Sequence, residues 1–267
     1  MKPSIALIHL VLLCWLGSVG VAQQQQTTEA FDQYVTKAEA RITQAREKAG
    51  SFLAVDALAP AQRTQMMARL QQGEVVIEKQ GETHSPIPGG LIHDWLGTVL
   101  VPNTTIAQVL SLIQDYDHSS HNYSPDVMRS RLLSHHGDDF QVFMRLKKHK
   151  VITVVLDTEY DVHYGRLDAA HQYSVSRSTR VSEVEDPGTP NEHVLALGHD
   201  HGFMWRLNSY WAFEQAGNDV LIECEAISLT RDIPAGLGWM IGPFVNSIPR
   251  ESLQFTLEST RKALAPK

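Results

Sequence analysis

The chain reads as an α+β protein in which a strongly curved antiparallel sheet wraps a long C-terminal helix, preceded by a helical extension. Three observations predict this. Apolar residues recur at three- and four-residue steps up to about Leu70 and then change to a period of two from Glu74. From Val127 to Leu229 the chain is a train of alternating segments separated by turn residues, with short connections suited to antiparallel neighbours. From Gly236 to Leu264 the helical spacing returns.

The first element is a targeting segment. Lys2 precedes an apolar run from Ile5 to Leu16, and Gly20-Val21-Ala22 supplies the small-x-small pattern read by signal peptidase before polar Gln23. The run is shorter than the roughly 20 residues that span a bilayer, so residues 1–22 are expected to be a signal peptide cleaved after Ala22. Cys14 leaves with it. Leu13 stands where a lipoprotein signal needs a small residue, which favours soluble export, periplasmic or secreted. Cys224 is then the remaining thiol, no intramolecular disulfide is possible, and its apolar surroundings Val220-Leu221-Ile222 mark it as a small buried hydrophobe.

Residues 23–73 form the helical extension. Gln23 to Gln26 and the two threonines after them read as a disordered leader. Phe31, Tyr34, Val35, Ala38, Ile42 and Ala45 then give a helix one apolar face, and a second helix starts at Pro60 and ends before Gly73, burying Met66, Met67 and Leu70. Residues 74–267 form the main domain. Val75 to Glu78 and Leu91 to Val101 read as strands around the breaker-rich stretch Ser85 to Gly90. Thr104 or Thr105 caps a helix carrying Ile106, Val109, Leu110 and Ile113, and a loop covers His118 to Pro125. Strands follow at 127–135, 140–146, 151–164, 172–184, 202–213 and 220–229, the last two joined at Gly217-Asn218-Asp219. In the third, Ile152, Val154, Leu156, Thr158, Tyr160, Val162 and Tyr164 alternate with Asp157, Glu159, Asp161 and His163, as in a strand with one buried face. The closing helix carries Trp239, Met240, Phe244, Leu253, Phe255 or Leu257, and Leu264. Pro243 and Pro249 are expected to kink or interrupt its first half.

Element order, together with Gly202 to Trp211, Glu223 to Leu229 and Arg231-Asp232-Ile233-Pro234 entering the last helix, resembles the START-like superfamily (SRPBCC, polyketide cyclase/dehydrase-like) and its helix-grip fold. The resemblance covers about residues 74–264. It implies a tunnel between sheet and helix, and the superfamily includes binders, transfer proteins and enzymes, so fold alone does not choose a function.

The net charge of −7, with both signs interspersed, argues against a nucleic-acid partner. Nucleophile elbows and phosphate-binding glycine motifs are absent, and no cofactor is implied. His118 with His121, and His199 with His201, lie in loops without the rigid three- or four-ligand set zinc requires, so no metal is expected. Asn103-Thr104-Thr105 matches a glycosylation acceptor, a pattern common by chance.

One constellation is richer. Arg206, Asn208 and Tyr210 share one face of their strand, Glu223 and Glu225 one face of the next, and Phe203, Trp205, Leu207, Trp211 and Phe213 the opposite side. If the polar set faces the helix, Arg206 with a glutamate orients a ligand head group; if it faces outward, it is an ordinary cross-strand pair. Arg231-Asp232 is read as a local salt bridge.

The expected function is an exported, non-enzymatic carrier for an apolar or amphipathic ligand (lipid, isoprenoid or polyketide-like), lined by Trp205, Arg206, Tyr210, Glu225, Trp239, Met240 and Phe244. No membrane span is expected after signal cleavage. Two alternatives stand beside it: a cyclase or hydrolase using Glu223 or Glu225 as general base, and an interaction module presenting Phe31, Tyr34 and Ile42 on the N-terminal helices.

Overall fold

The computed structural model describes residues 5–48, 50–81, 85–150, 152–196, 198–232 and 238–265, without the side chains of 5–24, 85–86 and 238–246. The first helix, α1, runs Ile5–Glu47, and α2 runs Pro60–Gln71 after a 3₁₀ turn at Ala54–Ala57. The strands are β1 Val76–Lys79, β2 Ser85–Ile87, β3 Gly90–Val101, β4 Val127–His136, β5 Asp139–His149, β6 Thr153–Arg166, β7 His171–Glu185, β8 His193–Val194, β9 Arg206–Ala216 and β10 Asp219–Arg231. Between β3 and β4 lie α3 Ile106–Ile113, a 3₁₀ turn at Tyr116–His118, and the single turn α4 Ser119–Asn122; α5 Gly238–Leu264 closes the chain.

The strands form one antiparallel sheet in the order β1-β3-β10-β9-β7-β6-β5-β4, with β2 added to β3 and β8 to β7. Nearest neighbours in sequence pair as hairpins from β4 to β7 and at β9–β10, while β3 reaches across to pair with β10. This is the curved sheet and C-terminal helix that the sequence predicts.

Alternation assigns every side chain to one of two faces. The inner face meets α5: Trp95, Val99, Phe213, Ile222 and Cys224 form one cluster with Leu253 and Leu257. Of the two alternatives for the helix seam, Leu257 is fully buried, and Phe255 is half-buried with the Lys148 ammonium 5.6 Å from its ring. Farther along the same face, Phe140, Val142, Tyr160, Val162 and Tyr164 pack under Tyr116, and Leu110 and Ile113 of α3 bridge the two clusters. The outer face is covered by the N-terminal segment. Phe31, Val35 and Ala38 of α1 pack on Ile92, Tyr210, Ile227 and Leu229, while Phe52, Leu53, Val55, Met66 and Leu70 pack on Leu100, Ala212 and Leu221.

Several expectations are corrected. The glutamine stretch is helical and continuous with the rest of α1, and Thr27 is fully buried with its hydroxyl donating to the Pro88 carbonyl. The apolar face of α1 is buried on its own sheet: Phe31 is inaccessible and Tyr34 and Ile42 pack beside it, so it offers no free surface to a partner. The breaker-rich stretch holds β2, because a proline on a short edge strand costs no ladder bond. The predicted loop at His118 contains the 3₁₀ turn and α4, and β9 begins at Arg206 rather than Gly202. Of the two outcomes expected at Pro243 and Pro249, interruption does not occur: one helix runs through both. Asp157, assigned to the solvent side of β6, is buried because Arg145 grips it at 2.7 and 2.8 Å. The capping alternative resolves to Thr105, whose hydroxyl accepts from the Gln108 N–H in a reciprocal box.

Gly97 sets the distance between helix and sheet. A Cβ there meets Leu257 Cδ1 at 2.3 Å and Ile77 Cδ1 at 2.8 Å, both within the packed inner cluster. Gly97→Ala is therefore expected to destabilise the fold by about 1–3 kcal/mol through overpacking, read as a fall of several degrees in melting temperature; a value equal to the parent shows that α5 shifts without cost.

Candidate functional site

Two regions bear the polar side chains that a site needs, and the sheet separates them. The first is the outer face beneath α1. Strand parity places Asp94 on β3, Glu223 and Glu225 on β10, and Asn208 and Tyr210 on β9 together on this face, all buried. Buried polar groups require partners, and the N-terminal segment supplies them. Arg41 forms an ion pair with Glu225. Tyr34 donates its hydroxyl to Asp94 Oδ2 at 2.8 Å. Tyr210 donates to Glu39 Oε1 at 2.8 Å, an oxygen that also accepts from Arg177 Nε at 2.7 Å. Glu223 accepts the backbone N–H groups of Ala54 and Val55 at 2.8 and 3.2 Å and the Thr98 hydroxyl at 3.4 Å.

Their electrostatics follow from this enclosure. Burial, reinforced by the neighbouring Glu225, pushes the Asp94 carboxyl up to about 7. Burial likewise raises Glu223 to about 7, against the pull of its two backbone donors. Burial works to raise Glu39 too, but the hydrogen bonds from Arg177 and Tyr210 hold it below the ordinary carboxylate value. Burial and the bond to Glu39 raise Tyr210.

The second region is the inner face away from the α5 seam. Here Leu207, Trp211, Met144 and Leu146 are half-buried, and Ser176, Ser178 and Ser209 stand between them by register. Ser174 and Thr158 are buried beside them. The hydroxyls of Tyr116 and Tyr164 meet at 2.7 Å, and Tyr123 and Thr260 at 3.0 Å. Burial raises all three tyrosines, Tyr116 to about 12, so these hydroxyls are neutral donors at physiological pH. The small serines place a strip of hydroxyls on the sheet between the two apolar clusters, which Leu110 and Ile113 bridge from α3.

The sequence-predicted residues divide between these regions. Tyr210 and Glu225 lie on the outer face, across the sheet from α5, which resolves the open question of which way the polar set points. Neither sequence alternative describes them, since they face neither the helix nor water. Among the described residues Arg206 does not pair with a glutamate; register sets it opposite Leu229, four residues from Glu225, and it donates to the Trp205 carbonyl at 3.0 Å. Trp205 donates its indole N–H to Asp200 at 2.7 Å and packs with the outer cluster. The side chains of Trp239, Met240 and Phe244 lie outside the described residues. Among the described residues no ion pair joins Arg231 to Asp232; their backbone N–H groups bond Gly202 and Gly89 instead.

Among the described residues no group of three or more histidine, cysteine or acidic side chains is placed to hold a metal. His118 and His121 are exposed and stack at 5.7 Å, while His201 Nδ1 lies 2.9 Å from Glu183. Sequence reasoning missed Asp94, Glu39, Arg41 and the inner tyrosines, and read Tyr34 only as part of the apolar face of α1. At 100° per residue Tyr34 and Arg41 flank that face on one side and Glu39 on the other.

No family model and no characterised protein sequence matches the chain. Among solved structures, a STAR-related lipid transfer protein from Xanthomonas axonopodis is similar at 18% identity, TM-score 0.43, covering 71% of this chain and 98% of its own. The human StarD13 lipid transfer and protein localization domain matches at 11% identity, TM-score 0.43, over 79% and 99%. The Zhui aromatase/cyclase from Streptomyces sp. R1128 matches at 10% identity, TM-score 0.44, over 65% and 93%.

Glu223 gives a test of the outer site. Its folded-state value is raised, so its contribution to stability is complete below about pH 4.5 and is lost as pH rises through about 7. Glu223→Gln is expected to flatten the stability profile across that window, removing a pH-dependent component on the order of 3 kcal/mol, measured by urea unfolding from pH 4 to pH 8. An unaltered slope shows that Glu223 is not the group titrating there. Read from its own sheet order and the helix laid across the inner face, the chain has the helix-grip fold of START-like proteins.

Proposed function

We propose that this chain is an exported, non-enzymatic binding or carrier protein that holds an apolar or amphipathic ligand on the inner face of its sheet, beside α5. The observation that carries the reading is the make-up of this inner face, where the proposed ligand groove lies: Leu207, Trp211, Met144 and Leu146 are half-buried, with Ser176, Ser178 and Ser209 between them by register. Apolar walls with a few hydroxyls fit a ligand that is mostly hydrocarbon with some neutral oxygen functions, since apolar contact supplies affinity and the hydroxyls fix orientation. The export half of the reading rests on the charge, apolar run and cleavage pattern of residues 1–22.

The placement of Glu223 and Glu225 favours this reading over the general-base alternative: both lie on the far face of the sheet from the proposed ligand, each held by a partner from the N-terminal segment. Glu183, which register places on the inner face, accepts the backbone N–H groups of His201 and Phe203 and the His201 ring, and so anchors a loop.

Native mass spectrometry of the purified mature protein, followed by solvent extraction, is expected to reveal a stoichiometric apolar molecule. Ser209→Phe fills the groove floor and is expected to reduce the retained ligand at least about tenfold with an unchanged circular dichroism spectrum, since a bulky ring displaces a comparable volume of ligand. Glu225→Gln is expected to leave ligand retention as in the parent. A Ser209→Phe protein that keeps its ligand in full sinks the groove assignment. For export, N-terminal sequencing of protein recovered outside the cytoplasm is expected to begin at Gln23; an intact Met1 terminus overturns it.

A further inference from the structure

Where α1 ends, the outer face holds a cavity of about 410 Å³. It lies between Arg46 in the last turn of α1, Gly50 and Phe52 leading into the 3₁₀ turn, Leu167 and Asp168 between β6 and β7, and Glu214 on β9. The sheet separates it from α5, since Tyr173 and Ala212, next along the same face of β7 and β9, pack with Phe52 and Leu53.

Most charged groups around this cavity hold one another. Asp56 accepts from Arg63 at 3.0 Å and from the Leu53 N–H at 2.9 Å. Asp168 accepts from the His171 ring at 2.9 Å and from the backbone N–H groups of Ala170 and His171, and the ring packs edge-on against Phe52 with centroids 4.9 Å apart. Glu47 and Lys48 are exposed beside it. The Asp56–Arg63 and Asp168–His171 contacts brace the wall of the cavity.

Two groups of opposite sign are left over. Among the described residues Arg46 makes no ion pair: its guanidinium stacks 4.1 Å from the centre of the Tyr173 ring and donates to the Trp211 carbonyl at 3.4 Å. Glu225 attracts it from beyond ion-pair distance and is itself paired with Arg41. A stacked guanidinium is fixed in orientation with most of its donors unused, and its fork matches a carboxylate. Glu214 is half-buried, and among the described residues its side chain accepts no hydrogen bond; its nearest basic atom is His171 Nε2 at 3.9 Å. Burial, reinforced by the charge of Asp56, raises its carboxyl above the ordinary range, so a cation brought to it is favoured. Buried Phe52 and half-exposed Leu167 give the same cavity an apolar wall.

We propose that this cavity binds a small zwitterion of the amino-acid class, its carboxylate on Arg46, its ammonium on Glu214 and an apolar side chain against Phe52 and Leu167. A ligand with only a negative charge leaves Glu214 uncompensated, and one with only a positive charge leaves Arg46 so. The site stands apart from the inner face and does not depend on what that face holds.

Isothermal titration calorimetry at neutral pH on the purified protein, with leucine and phenylalanine as probes, tests it. At least one of the two is expected to bind one to one with a Kd below about 1 mM. Its N-acetyl derivative, which lacks the ammonium, and its amide, which lacks the carboxylate, are each expected to bind at least about tenfold more weakly. Glu214→Gln is expected to bring the amino acid down to the level of its N-acetyl derivative, and Arg46→Gln to that of its amide, so that each substitution cancels the penalty of one missing group. Absence of saturable binding by both amino acids overturns the proposal, as does a parent protein that holds the derivatives as tightly as the amino acid. Parental affinity in the folded Glu214→Gln and Arg46→Gln proteins overturns it too, because binding then lies elsewhere, the inner face included. If either variant fails to fold, the derivative series on the parent protein decides alone.

Discussion

The architecture depends on the two-sidedness of β10. Its even-numbered residues Val220, Ile222 and Cys224 face α5, and its odd-numbered residues Leu221, Glu223, Glu225, Ile227 and Leu229 face the N-terminal segment. A strand at the centre of a sheet that is covered on both sides has no solvent face, so both sets must be satisfied by other elements. On the inner side the requirement is met by apolar packing, drawn tight where Gly97 lets α5 approach. On the outer side it is met partly by apolar contact and partly by ion pairs and hydrogen bonds from α1 and the 3₁₀ turn. The N-terminal segment is thereby a structural layer of the fold, since removing it leaves Glu223, Glu225 and Asp94 without their partners and uncovers Ile92, Ile227 and Leu229.

This division explains where the ionisable groups sit. Asp94, Glu223 and Glu225 sit on the outer face, where they hold one part of the chain to another, while the inner face carries the Tyr116, Tyr164, Thr158 and Ser174 hydroxyls and Glu183, which anchors the loop at His201.

Much of the fold was legible from periodicity. The strands from β4 to β7 and the β9–β10 hairpin follow from alternation and turn residues, and α2, α3 and the C-terminal half of α5 follow from helical spacing with a proline or threonine at the start. The misreadings share a physical cause, which is tertiary contact. The glutamine stretch carries no local signal for order and is followed without a break by the helix that the sheet holds in place. Asp157 looks like a solvent residue until Arg145 closes over it. The candidate site was legible in part. Parity grouped Arg206, Tyr210, Glu223 and Glu225 correctly on one face, but parity is symmetric between faces and cannot say what covers each. It also cannot pair residues 184 positions apart, as Arg41 and Glu225 are, so the partner of Glu225 was sought on the neighbouring strand.

The contrast between the two faces bears on why a helix should be seated over carboxyl groups at all. An apolar outer face would bind α1 more simply, and replacing a buried ionic cluster by hydrophobic residues of similar volume is often neutral or stabilising. What the polar seat adds is register. Tyr34 meets Asp94, Arg41 meets Glu225, and Glu39 meets both Tyr210 and Arg177, contacts that a featureless apolar face does not enforce. The same groups thus specify where α1 lies along the sheet.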